Sequence, residues 1–315
     1  MRMDGRKKNR SHMKKKKYTL QAKMKKTYLL FFSVILILAS VAIYLITSRI
    51  YWEKTGKLCE QMVDMNLELL NTEVAELQNR HEMIAKNADV KEAVSYFQNE
   101  EATDYPKEIQ IQRKLTDIFY LYAQSDKVVS AYIIDKKGEC RYFYKESPKV
   151  GYNMMNQEWY RNLTDDIVMD TCYVSEIHDK SYLVNHQKDL CLSIVRPIQV
   201  KTRYRFEADA YLVCDISLDA VFKKNRADES MQFAMLDKNG TFYAPDTFTF
   251  TEEESDKIIQ LAKENDVYVS VESQRLIPNH MVLSKKSNLF GWKIIGVKNL
   301  DELNDMTAMF LIVLA

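Results

Sequence analysis

The residues Val128-Val129-Ser130-Ala131-Tyr132-Ile133-Ile134-Asp135-Lys136-Lys137-Gly138-Glu139-Cys140-Arg141-Tyr142-Phe143-Tyr144 decide the fold. Two runs rich in β-branched and aromatic side chains flank a short polar segment, and Gly138 supplies the positive φ that a tight turn needs. The stretch reads as strand, turn, strand. Further along, the same pattern returns in Gln232-Phe233-Ala234-Met235-Leu236, Asp237-Lys238-Asn239-Gly240 and Thr241-Phe242-Tyr243. Such a repeat means that one supersecondary unit is used twice.

The ends of the two units echo each other too. Tyr211-Leu212-Val213-Cys214-Asp215-Ile216-Ser217-Leu218-Asp219 and Trp292-Lys293-Ile294-Ile295-Gly296-Val297-Lys298-Asn299-Leu300-Asp301 each run from a strand into a helix start, with Asn299 and Glu302 spaced as a capping box. The turn glycines Gly138 and Gly240 lie 102 positions apart and the closing Asp219 and Asp301 lie 82 apart, so the first unit carries about twenty extra residues. This surplus falls around residues 159–205. Loops that grow on a repeated scaffold are where binding resides, which points to the first unit as the binding one.

Upstream of the first hairpin the period changes to that of a helix. Residues 50–87 contain no Pro and, after Gly56, no Gly, and apolar side chains recur at Leu58, Met62, Met65, Leu69 and again at Leu70, Val74, Leu77, Ile84. These spacings of three and four predict one long helix. Its stripe is either a dimer seam, as heptads allow, or the face that lies against the domain it supports. A second helical piece, 90–97, ends at Thr103-Asp104-Tyr105-Pro106, and a further helix, 108–122, leads into the first strand.

Residues 28–46 carry no charge, and about twenty such residues cover the hydrocarbon core of a bilayer. Before them, twelve Lys and Arg face a single acid, Asp4, which by the positive-inside rule holds the N-terminus in the cytoplasm and places everything after residue 47 outside. A cleaved signal peptide is the rival, because Ser40-Val41-Ala42 offers a cleavage site. The apolar run continues beyond it, and the basic region is long, so an anchor is the better reading. Clustered lysine beside a span touches anionic lipid, and no nucleic acid is expected. A second apolar run opens at Met306 and stops at Ala315, half the length of a span, so the sequence reads as a partial one.

The formal charge of +1 conceals this basic tail; the remainder is acidic, of globular composition, and long enough for one large or two small domains. Five cysteines, Cys59, Cys140, Cys172, Cys191 and Cys214, lack the spacing of a disulfide framework and read as small core residues. Cys172 and Cys191 are the one pair that could neighbour each other on strands.

An anchor, a long helix, two tandem PAS-like units and a return span resemble the double Cache (dCache) extracellular sensors. The similarity is carried by Trp159-Tyr160, by Tyr173-Val174-Ser175-Glu176 with Asp179 following, by Leu192-Ser193-Ile194-Val195-Arg196-Pro197-Ile198, and by the strand ending at Asp215-Ile216. The closing Gly291-Trp292-Lys293-Ile294-Ile295 is similar to that of YesM-type sensor histidine kinases of Gram-positive bacteria. The resemblance implies an α+β fold in which tail 1–27 and transmembrane helix 28–46 precede an extracellular double Cache sensor, 47–305. That sensor holds a distal module at about 108–225 and a proximal module at about 230–300, followed by the start of a second transmembrane helix, 306–315. In amino-acid-binding members an Arg shortly before the Trp-Tyr pair grips the ligand carboxylate. Here Gln157 stands two before Trp159 and Arg161 lies on the wrong side, which departs from that pattern.

The residues and the resemblance converge on a ligand site in the distal module. Trp159 and Tyr160 would be flat walls, Tyr173 a wall and hydroxyl donor, and Asp179 and Asp215 acceptors for an amine or a sugar hydroxyl. The alternative for the same residues is core packing. Arg196, before Pro197 in a strand, is expected to brace a carbonyl or carboxylate. Histidines 81, 178, 186 and 280 show no His-x-x-x-His spacing and are expected at the surface, without metal. Asp135 and Asp237 carry turn chemistry. Seven scattered glycines form no phosphate loop, and no activated Ser or Cys arrangement is present, so neither catalysis nor a cofactor is expected of this chain.

These readings lead to a membrane-anchored, dimeric sensing region of a two-component sensor kinase whose kinase part lies outside this sequence. Its expected partners are a small-molecule ligand or binding protein outside the cell, the lipid bilayer and a second copy. The competing readings are a chemoreceptor sensor region, and an anchored binding or adhesion protein without signalling output.

Overall fold

The computed structural model describes residues 5–99, 104–165, 171–185, 189–200, 208–223, 231–246, 248–264, 267–269 and 280–300. Helix α1 (Gly5–Lys86) contains, within Lys23–Lys86, an 18-residue window of mean hydropathy 2.9 with none of it buried, so it is long and apolar enough to cross a membrane. The compact unit formed by residues 58–299 contains both sheets. The expected capping box at Asn299 and Glu302 and the second apolar run reach beyond the described residues.

Two antiparallel sheets with flanking helices make this an α+β fold, as the two hairpins predict. The first sheet joins β1 (Val128–Asp135), β2 (Cys140–Lys145), β3 (Tyr173–Val174), β4 (His178–Asp179), β5 (Leu190–Ile198) and β6 (Ala210–Ser217). The second joins β7 (Met231–Leu236), β8 (Phe242–Tyr243), β9 (Val267–Val269), β10 (His280–Lys286) and β11 (Lys293–Asn299). Strand order is β2-β1-β6-β5-β3, with β4 also on β5, and β8-β7-β11-β10-β9. In each sheet the last strand inserts beside the first, so the repeat seen in the sequence is a repeat of topology.

The hairpins close as turn chemistry requires. Gly138 and Gly240 have φ of 83° and 84°. Asp135 Oδ1 accepts from the N–H groups of Lys137 and Glu139 at 2.8 and 3.0 Å, and Asp237 Oδ1 accepts from those of Asn239 and Thr241 at 2.8 Å each.

Helix α2 (Ala88–Phe97) begins where Asn87 caps the N–H of Asp89, and α3 (Tyr105–Phe119) begins at the Asp104 cap with Pro106 in its first turn. A 3-10 turn, Tyr120–Gln124, links α3 to β1. On α1, Leu70, Val74, Leu77 and Ile84 are buried as expected, but the lower stripe is shifted: Cys59, Val63 and Leu67 are covered, while Leu58, Met65 and Leu69 are exposed. A helix carrying two apolar stripes has both at the same period, and period does not say which one the sheet covers. Gly296 of β11 shows how close the helix lies. A Cβ there would sit 2.8 Å from Val63 Cγ2 and run into the Met231 side chain, which is the reason for a glycine inside a strand.

Strands β1, β5 and β6 are buried on both faces, which is why they read as continuous apolar runs. One face of the first sheet meets α1 through His81, buried beside Tyr122 and the backbone of Leu212 and Ile194. The other face carries the cluster of Tyr132, Ile134, Val195 and Val213 beneath α4 (Glu158–Asp165). In the second module α6 (Glu252–Glu264) lays Ile258 and Ala262 on Ala234, Leu236, Val282, Ile295 and Val297. Short α5 (Leu218–Lys223) follows β6, with Ser217 Oγ accepting from Ala220 N.

Cys172 and Cys191 do not pair; all five cysteines are free. Tyr173 pairs with Val195, so Cys172 lies near Arg196, five positions along β5 from Cys191, or roughly 16 Å at about 3.3 Å per residue.

Candidate functional site

The covered face of the first sheet holds a charged group at its centre. Asp215, in the middle of β6, has no solvent exposure. Tyr132 of β1 donates its hydroxyl to both carboxylate oxygens at 3.0 Å, Ser193 Oγ of β5 lies 2.5 Å from Oδ1, and the Tyr182 hydroxyl also bonds the carboxylate. Burial raises the Asp215 pKa to about 6 in spite of these donors, since a carboxylate out of water favours its neutral form.

The network continues outward through Ser193 Oγ to His178 Nε2 at 2.9 Å, while His178 Nδ1 lies 2.9 Å from the Asp179 carbonyl. Burial holds the imidazole neutral, with its pKa lowered to about 4. With Asp215 protonated the chain is consistent end to end: Asp215 donates to Ser193, Ser193 to Nε2, and Nδ1–H to the carbonyl. With Asp215 ionised, Ser193 turns its proton inward and Nε2 must become the donor. The proton on Asp215 and the tautomer of His178 are therefore linked.

Aromatic rings enclose this network. The Trp159 indole stacks on His178 with centroids 4.0 Å apart and planes 9° from parallel, and Tyr160 stands edge-on to Trp159 and Tyr211. Both lie in the first turn of α4, where the helix projects them onto the sheet. Trp159 Nε1 is buried and has no acceptor among the described residues, an unmet bond worth about 1–3 kcal/mol. Tyr173 of β3 packs half-buried at the margin of the cluster. Asp179 is exposed at the edge, where its Oδ1 accepts from Ser181 N at 3.0 Å. The structure thus gathers Trp159, Tyr160, Tyr173 and Asp215 on one face and leaves the Asp179 carboxylate outside the hydrogen-bond network that ends on its own carbonyl. Gln157 donates to the Tyr152 hydroxyl at 2.5 Å and to Ser181 Oγ at 3.2 Å.

Tyr132, His178, Tyr182 and Ser193 were not legible as site residues. Ser193 alone gave a signal, a hydroxyl inside the apolar run of β5. The histidines correct the surface expectation: His81 is fully buried and held neutral with its pKa lowered to about 3, and His178 and His280 are half-buried. His186 lies outside the described residues. Among the described residues no three metal-binding side chains converge. Arg196 does brace a carboxylate, with Nη1 3.9 Å from Glu82. A surface groove of about 500 Å³ along Tyr105, Ile109 and Arg113 is lined by α3 alone, a trough on one helix with no second wall.

The site is joined to the second module. Asp237, besides closing its own turn, accepts from Ile177 N at 3.0 Å through Oδ2, and Asn239 Nδ2 bonds Glu176. Tyr243 of β8 donates to Asp219 at 2.5 Å. Ile177 immediately precedes His178, so the inter-module bond and the stacked pair lie on adjacent residues.

No protein-family model matches the chain, and no curated protein matches it in sequence. Solved structures do match in fold. A domain of a Vibrio parahaemolyticus protein assigned to the sensory box/GGDEF family superimposes with a TM-score of 0.61 at 11% identity, covering 80% of this chain and 99% of that one. The extracellular domain of vpHK1S-Z8, described as a histidine kinase, gives 0.58 at 13% identity, covering 81% and 95%. The ligand-binding domain of the Pseudomonas fluorescens chemoreceptor CtaA, in complex with L-leucine, gives 0.53 at 14% identity, covering 79% and 97%. The chain has the fold of extracellular sensor domains of kinases and chemoreceptors.

Proposed function

We propose that this chain is the ligand-sensing region of a membrane-anchored signal receptor of the double Cache type, closest in kind to the YesM-type sensor histidine kinases. In this reading the N-terminal tail is cytoplasmic, the two modules are extracellular, and two copies pair along the exposed Leu58, Met65 and Leu69 stripe of α1. The membrane-distal first module binds a small molecule between Trp159, Tyr160, Tyr173, Asp179 and Asp215, and the second module carries the change toward the membrane. The chain senses and does not catalyse.

The observation that carries this reading is Asp215, a buried carboxylate under aromatic walls in the module with the longer insertion. A buried carboxylate whose nearby cation, Lys180, is paired with Asp189 instead is costly, and a site that binds an amine or hydroxyl gives it a use. The chemoreceptor reading shares this site, and the likeness to CtaA favours it equally at the level of fold. Uncharged Gln157 beside Tyr152 argues against a ligand held by its carboxylate, so amines and polyols precede amino acids as candidates.

The test is a melting-temperature screen of the chain in nanodiscs against amines, sugars, polyols and amino acids. A true ligand raises the melting temperature of wild type by several degrees and fails to do so in Trp159→Ala and Asp215→Asn. A screen in which no compound acts, while a secreted binding protein does, would replace direct sensing by sensing through a partner.

A further inference from the structure

Tyr182 differs from Tyr132 in how it reaches the cluster, and from the loop residue Tyr152 in being fully buried. Tyr132, Val195 and Val213 face the site because strand alternation puts them there, whereas Tyr182 belongs to a turn between β4 and β5 closed by Leu183 N to Lys180 O at 2.9 Å. A turn residue at the rim of a module is ordinarily exposed, yet Tyr182 has no exposure at all. Its ring centroid lies 6.0 Å from that of His178, 6.2 Å from Trp159, and 6.3 Å from both Tyr132 and Tyr152. Its hydroxyl reaches Asp215 and lies 4.0 Å from Cys191 Sγ. It therefore makes the contacts a ring-shaped, donor-bearing ligand would make at the centre of this site.

The attachment of the turn differs from that of the sheet. Lys149 N donates to the Tyr182 carbonyl at 2.9 Å, Lys149 Nζ to that of Ser181 at 2.5 Å, and Val184 N to that of Ser147 at 3.1 Å. These bonds tie loop to loop, apart from the eight-residue pairing of β5 with β6, and Val184 beside them is half exposed. Segments held in this way open at lower free energy than the strands they cover.

We propose that Tyr182 is a tethered occupant of the first module's site, and that the molecule sensed there exchanges with it: a single-ring compound bearing a hydroxyl or amine donor. This rests on the reading of that face as the ligand site. The chemistry left by the departing phenol defines the class. Flat walls on several sides select a ring, and the carboxylate at the floor selects a donor. A ligand carboxylate is disfavoured, because Lys180, the buried cation nearby, already pairs with Asp189 at 3.4 Å.

The test uses p-cresol, which is the tyrosine side chain itself, with toluene as control, on the full chain in nanodiscs. In Tyr182→Ala, p-cresol at about ten times its Kd raises the melting temperature by about 3 °C, and toluene does so less. Wild type responds less at the same concentration, because p-cresol must displace the tethered phenol there, and the p-cresol preference disappears when Asp215→Ala is added. A folded Tyr182→Ala protein that ignores p-cresol would overturn the proposal. Thiol labelling of wild type, mapped by mass spectrometry, is independent of that variant's folding. Cys191 lies under Tyr182, whereas Cys214 lies on the opposite face of the sheet, so Cys191 labels at least about tenfold faster if the turn leaves by itself. Equal rates, meaning that both cysteines open only with the sheet, would overturn the proposal. The parent reading fails differently, when no compound stabilises wild type in a Trp159-dependent way; Tyr182 is then a packing residue whatever p-cresol does, and the exchange falls with the site.

Discussion

Tyr132, Ser193 and Asp215 meet across three neighbouring strands of the first sheet, and strand pairing puts Ala234, Val282 and Val297 at the corresponding places of the second. One frame, used twice, carries a hydrogen-bonded carboxylate in one copy and a continuous apolar core in the other. The second module shows that the fold has no need of the polar set. Its presence in the first is a cost, and the cost falls in the module with the longer segment between its hairpin and its last strand. Under the proposed function, binding and transmission are divided between two copies of one architecture: the first has a polar interior, and the second an apolar core with Gly296 close against α1.

The most severe way to break the comparison is to move the carboxylate. Val297→Asp places a charge in the second core with none of the hydroxyl partners that Asp215 has, and should cost about 4 kcal/mol or more, abolishing cooperative melting by circular dichroism. A protein that melts normally would show that the second core is as tolerant of charge as the first.

The next largest effect is pH-dependent. The native pKa of Asp215, about 6, lies above its unfolded value of 3.8, so the folded state binds more protons in that interval and Asp215 loses stability as pH rises through it. His178, lowered to about 4, works in the opposite sense, losing stability as pH falls from 6.5. Asp215→Asn removes only the first contribution. Relative to wild type it should gain on the order of 3 kcal/mol between pH 4 and pH 7, read from urea melts at the two pH values. An unchanged difference would mean that Asp215 keeps its charge throughout.

Two smaller tests sharpen the contrast. Gly296→Ala pushes a methyl group into Val63 and Met231 and should cost about 2 kcal/mol, a measure of how tightly α1 seats on the second sheet. The two turn aspartates then separate common from particular. Asn keeps the oxygen that closes each turn but replaces the second oxygen with a donor. In Asp237→Asn this leaves Ile177 N–H facing a donor and should cost about 1–2 kcal/mol. In Asp135→Asn it loses only the partly exposed Arg141 pair and should cost about 0.5 kcal/mol. Equal losses would remove the special role of Asp237.

Both hairpins, their repetition, the long helix and the apolar segment were legible because each rests on a local period or a turn residue. Asp215 was legible through the resemblance, which singled it out at the end of a strand-like run that in the structure extends to Ser217. The rest of the site was not. Tyr182 is buried by a turn that folds inward over half-buried His178, and no spacing announces that. Val63, in place of Met62, faces the second sheet because Gly296 lets the helix approach there, a fact about another strand far along the chain. The second oxygen of Asp237 reaches a neighbour that turn chemistry does not mention.

That second oxygen makes the two modules keep a common account of free energy. Suppose that filling the first module weakens the bond between Asp237 and Ile177 by some amount. Breaking the same bond from the side of β7 and β11 must then change the affinity for the ligand by the same factor. Under the proposed function, a receptor built this way does not report its ligand in one direction only. Its readiness to bind is itself set by whatever holds the far end of the second sheet, so affinity measured on a chain released from the membrane need not equal affinity in place.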